Sequence, residues 1–136
     1  MKRRKAREYA LQIIFQIDFM EKKIDSKDLK EFWSDKKESK DVKEFTEELV
    51  KGTLSKINEI DLMIKRVAEN WILERMAAVD RNILRFAAYE LLYIKDIPSA
   101  VTINEAIEIA KKFSSTEAAP FINGILDRLA KEAGKV

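Results

Sequence analysis

The sequence predicts an all-α fold, and three observations carry that prediction. Glycine and proline are scarce, at 3 and 2 in 136 residues. Strand-like alternation is missing, and apolar residues recur at helical spacing along most of the chain. With 46% hydrophobic content, one compact domain spanning residues 1–136 is expected, built from about seven helices. Cysteine and histidine are both absent, which excludes disulfides, thiolate zinc sites and catalysis by either side chain. No metal or cofactor is expected. No apolar run approaches the ~18 residues of a membrane span, and the basic start lacks the apolar core of a signal peptide, so a cytoplasmic location is expected.

The stretch Asp80–Ile94 organises the rest. At ~100° per residue, Ile83, Leu84, Ala87, Leu91 and Ile94 share one helix face, and Phe86, Tyr89 and Tyr93 form a second strip. A helix that is apolar on two sides belongs in the middle of a fold. Arg81, Arg85 and Leu92 occupy the remaining sector, predicted to meet water. Asp80 stands in the first turn, where its charge complements the helix dipole.

Met1–Arg7 carries Lys2, Arg3, Arg4, Lys5 and Arg7 in a chain whose formal net charge is only +2. Such localisation fits a nucleic-acid contact, or equally a solvated basic terminus. Ala6, Ala10, Ile13, Ile14, Ile17 and Met20 form a core stripe running out of this segment, so its cations are expected on the first turns of an anchored helix. Leu11, Phe15 and Phe19 lie opposite that stripe. Either another helix covers them or they form a partner surface.

Asp25 or Ser26 is placed to cap a short helix that pins Leu29, Phe32 and Trp33. The mixed charges of Ser34–Lys40 read as a solvated loop. From Asp41 to about Glu69 one apolar face continues through Val42, Phe45, Leu49, Thr53, Ile57, Ile60, Ile64 and Val67, predicting a single helix of roughly 40 Å. Gly52 inside it marks a close contact or a bend. Asn70–Val79 reads as a connector.

Ile97-Pro98 ends the central helix. Thr102-Ile-Asn-Glu105 has the capping-box pattern and is expected to open the next one. Glu105 and Glu108 are expected on its exposed face, without the pocket that acid–base catalysis needs, so no enzyme is predicted. Pro120 fits only the first positions of the last helix, which places its cap near Glu117–Ala119. Ile122, Ile125, Leu126 and Leu129 face the core. Phe121, Gly124 and Arg128 line a neighbouring strip, where Gly124 serves either helix packing or the docking of a nucleotide.

In order and spacing, Arg3-Arg4-Lys5-Ala6-Arg7, Trp71 with Val79-Asp80-Arg81-Asn82-Ile83-Leu84-Arg85, Ile103-Asn104-Glu105-Ala106 and Phe121-Ile122-Asn123-Gly124 resemble the NusB family of bacterial transcription antitermination factors. The resemblance covers essentially the whole chain. It implies two perpendicular helical sub-bundles. It also implies binding to the boxA element of ribosomal RNA leader transcripts, jointly with the small-subunit ribosomal protein that serves as NusE. Other Nus factors and RNA polymerase follow as indirect partners. By the resemblance, the arginine-rich start and the Glu117–Phe121 region face RNA, while Phe15 and Asp80 face the ribosomal protein. A homodimer of the free chain is compatible with that same surface. Pro120 stands where members often carry a lysine, which removes one cationic contact. Two other classes fit less of the sequence: a helical protein-binding adaptor, and a stand-alone relative of the RNA-binding module of ribosomal RNA methyltransferases.

Overall fold

The computed structural model describes residues 2–21, 23–69 and 72–134. Asn70 and Trp71, part of the expected connector and of the family-like pattern, lie outside them. Among the described residues, the regular structure is helical: α1 (Lys2–Met20), α2 (Ser26–Trp33), α3 (Lys40–Ser55), α4 (Ile57–Val67), α5 (Ala78–Tyr93), α6 (Ser99–Phe113) and α7 (Ala118–Glu132), with a 3₁₀ turn at Leu73–Arg75.

The central helix is where the periodicity puts it. α5 touches α1, α3, α4, α6 and α7. Ile83, Leu84, Phe86, Ala87 and Leu91 are buried, and Tyr89 and Tyr93 half-buried. The third sector differs from expectation. Arg81 and Arg85 do not simply face water. Arg81 Nη2 reaches Asp18 of α1 at 2.7 Å, and Arg85 holds Asp61 of α4 through Nε and Nη2, both at 2.9 Å. Burial pushes the Asp18 carboxyl up, but hydrogen bonds from Arg81 and Asn82 and the charge of Arg85 outweigh it and hold it below its ordinary value. Polar residues thus join α1 and α4 to α5.

Capping sets several boundaries. Asp25 caps α2, one of the two candidates the sequence offered, and it forms a reciprocal capping box with Asp28. Tyr9, Phe32 and Trp33 then meet edge-to-face and hold α2 on α1. Ser39 caps α3.

Two expected boundaries are corrected. The long helix breaks at Lys56, whose backbone leaves α geometry (φ −113°, ψ 15°), so α4 starts anew in another direction of contact, towards α7. Gly52 marks a close contact: a Cβ there would run into the Tyr89 ring. The Thr102–Glu105 pattern does not open α6. That helix begins three residues earlier behind Pro98, and Thr102 and Glu105 are buried inside it. The core stripe of α1 also ends early, with Ile17 half-buried and Met20 exposed.

Candidate nucleic-acid interface

α1 starts with its cations, and the fold gives most of them a carboxylate. Arg4 donates to both oxygens of Glu105, from Nε at 3.0 Å and Nη2 at 2.6 Å. Lys5 Nζ lies 2.6 Å from Glu38, which also accepts from the Tyr9 hydroxyl at 2.5 Å. Lys2 sits 3.9 Å from Asp41. The bond from Arg4 holds the Glu105 carboxyl below its ordinary value, and the bonds from Lys5 and Tyr9 do the same for Glu38. Arg3 is exposed and stacks its guanidinium over the Phe45 ring, 4.6 Å from the centroid.

Arg7 requires a correction. It is only 2% exposed, and it donates from Nε and Nη2 to Glu90 of α5 and from Nη1 to Glu105. A guanidinium enclosed by two carboxylates cannot neutralise a phosphate. Arg7 instead ties α1 to α5 and α6. Glu105, expected on an open face beside Glu108, is the acidic half of this cluster. Charged residues are rarely buried unless paired, and here the pairs are complete.

The second predicted RNA region surrounds the start of α7. Glu117 occupies the cap position without a side-chain cap bond, and Ser115 Oγ accepts from the Ala118 N–H at 3.2 Å. Phe121 is half-buried and shared by two open grooves. One, of about 480 Å³, runs between Ile72, Arg75, Met76 and Asp80 on one side and Glu117 and Phe121 on the other. The other, of about 320 Å³, brings Pro120, Phe121, Gly124 and Arg128 together. A Cβ on Gly124 would meet nothing within 4 Å, so helix packing does not explain this glycine. Arg128 Nη1 donates to the Val67 carbonyl at the end of α4, at 2.7 Å, which fixes the guanidinium beside that groove.

Between the two regions lies the end of α6. Lys112 reaches Glu8 of α1 at 3.0 Å, beside the exposed Phe113. Ile72 and Arg75 as groove walls were not singled out in the sequence, because they belong to a connector where no periodicity separates wall from solvent.

The predicted partner strip is graded along α1. Leu11 is 4% exposed and belongs to the core, which corrects its place in a partner surface. Phe15 is half-buried, and Phe19 is 79% exposed. Their rings lie parallel, 6.5 Å apart. Asp18 lies between them in sequence and accepts from Asn82 at 3.0 Å, which brings this strip to the first turns of α5, where Asp80 stands. Asp80 thus lies within reach of both predicted surfaces and lines the groove with Glu117 and Phe121.

A helical protein with a basic first helix, a partly exposed aromatic pair and grooves around one aromatic ridge has the make-up of a small RNA- and protein-binding factor. The NusB family model matches residues 4–131. The chain belongs to the NusB family. The transcription antitermination protein NusB of Thermodesulfovibrio yellowstonii is 49% identical over 141 residues, covering 97% of this chain and 93% of that one. The solved T. maritima NusB is 43% identical with a TM-score of 0.86, covering 96% of this chain and 91% of that one. A crystal structure of antitermination factors NusB and NusE in complex with double-stranded RNA superposes with a TM-score of 0.85 at 26% identity, over 96% of this chain and 97% of that one. No helix among the described residues is long and apolar enough to cross a membrane.

Proposed function

We propose that residues 1–136 form one NusB-like domain acting in the cytoplasm as a transcription antitermination factor. It binds boxA-type single-stranded RNA jointly with the ribosomal protein NusE, supports processive transcription of ribosomal RNA, and catalyses no reaction. The observation that carries this reading is the near-complete superposition on a NusB solved with NusE and RNA. Arg3, Arg4 and Lys5 supply cations at one end of the RNA path, and Glu117, Phe121, Gly124 and Arg128 line its other end. Phe15 and Phe19 receive NusE, with Asp80 at the border between the protein and the RNA. Phe19, 79% exposed beside the half-buried Phe15, favours a protein partner over bare solvent.

Calorimetric titration of a boxA RNA into the chain, into NusE and into the mixture, at low and high salt, tests the reading. Tighter, salt-sensitive binding by the mixture is expected. Equal affinity with and without NusE, or no RNA binding by the mixture, overturns it.

A further inference from the structure

The groove between the connector and the start of α7 carries chemistry that the RNA-binding reading does not yet use. Its walls are apolar: Ile72 is 51% exposed, and Met76 and the half-buried Phe121 complete the surface. Two carboxylates, Asp80 and Glu117, line it as well, and exposed Arg75 stands at its edge. The Oδ1 atom of Asp80 is buried, and nothing among the described residues donates to it. A buried carboxylate oxygen without a donor is costly, so Asp80 is a carboxylate that the fold itself does not fully satisfy.

Carboxylates accept and never donate when ionised, and they repel phosphate, so this groove does not suit the RNA backbone. It suits a flat group with apolar faces and a donating edge. Among the four RNA bases, guanine alone presents two adjacent donors, N1–H and the N2 amino group, on its pairing edge. Adenine and cytosine place a ring acceptor beside their single amino group, and the N3–H of uracil is flanked by two carbonyls. Unpaired bases are read in this way, by stacking together with hydrogen bonds to the pairing edge.

We propose that this groove reads one unpaired guanine. Asp80 and Glu117 accept from its N1–H and N2 amino groups, Ile72 and Phe121 close on its faces, and Arg75 meets the attached phosphate. The neighbouring groove, with Gly124 and Arg128, then carries the adjoining nucleotide across the Phe121 ridge. This assignment rests on the RNA-binding reading above and adds the base identity to it.

Fluorescence anisotropy on the full chain tests it, with uridine oligomers about ten nucleotides long carrying a single guanosine at each position in turn. One position should tighten binding about tenfold, the scale of one good bidentate base contact. Inosine there, which lacks the N2 amino group, should lose most of that gain. Asp80→Asn and Glu117→Gln should each bring the guanosine-to-uridine affinity ratio to within about twofold of unity. Melting temperatures confirm that the variants fold. Glu117 is exposed, so its variant carries the test if Asp80→Asn does not fold. A flat guanosine scan, or a preference that survives both substitutions, overturns the proposal while leaving RNA binding in place. Failure of every oligomer to bind overturns the proposal and the RNA-binding reading together.

Discussion

The first turns of α1 and the start of α7 are both assigned to RNA, and they are built in opposite ways. α1 brings five cations, of which Lys2, Arg4, Lys5 and Arg7 face carboxylates and Arg3 lies over an aromatic ring. The start of α7 brings a proline, an aromatic and a glycine around open grooves. A charge run in a sequence therefore measures the cations a segment carries, not the field it projects. Where each cation has a carboxylate within 4 Å, phosphate must displace that partner before it gains anything. The start of α7 presents open grooves rather than a run of paired cations.

Arg7 gives the largest expected break in this comparison. Arg7→Ala strands Glu90, which is 0% exposed, without its main counter-ion. Breaking a buried pair from one side costs about 3–5 kcal/mol, so the urea unfolding midpoint should fall sharply. The salt dependence of RNA binding, measured on the fraction still folded, should stay as it is. A flattened salt slope with unchanged stability would return Arg7 to the RNA surface.

Acid should open the same cluster. The Glu105 carboxyl is held below its ordinary value by its bond from Arg4, and Asp18 by its partners on α5. A depressed carboxyl stabilises the fold fully above the unfolded value of about 4 and loses that contribution as pH falls through the folded value. Melting temperature should therefore hold near neutrality and decline below about pH 4. The decline should be shallower in Glu105→Gln, whose starting stability is lower. An identical profile in that variant would remove Glu105 from the account.

How much of this was legible in the sequence depends on what each residue touches. The apolar faces of α5, the Asp25 cap of α2 and the cap of α7 rest on local spacing and were readable. The burial of Arg7, Glu90 and Glu105 was not, because a charged residue enters a core only when its partner arrives from another helix, and those partners are 83 and 98 positions away. The break at Lys56 was harder to place: Gly52, four residues earlier, fitted a close contact as well as a bend, and the apolar face carries on from Thr53 to Ile57 and Ile60. Leu11 shared its spacing with Phe15 and Phe19, and spacing alone cannot say where along one face the neighbouring helices stop.

The salt slope sharpens the contrast more quietly. Four unpaired cations would give a log–log slope near −3 on a single strand, at ~0.7 per contact. With Arg7 buried and Arg4 and Lys5 held, a slope of about −1 to −2 is expected. Arg3→Ala should flatten it by about 0.7, and Glu38→Gln, which releases Lys5, should steepen it by a similar amount. Filter binding from low to moderate salt reads both. A slope of −3 in the wild type would mean that phosphate displaces every carboxylate.

The smallest effect concerns Gly124 and separates structure from binding most cleanly. Glycine inside a helix costs about 1 kcal/mol relative to alanine, and nothing lies within 4 Å of where its Cβ would stand. Gly124→Ala should therefore raise stability by up to that amount, a small but measurable shift in the unfolding midpoint. The glycine is worth its cost if an RNA strand passes close to this turn of α7, between Phe121 and Arg128. In that case Gly124→Ala weakens RNA binding modestly, and Gly124→Leu, with a longer side chain over the same groove, weakens it more while the helix stays folded. Both variants cost nothing in charge, so their salt slopes should match the wild type. Stabilised variants that bind RNA with wild-type affinity would leave the groove at Gly124 outside the RNA path.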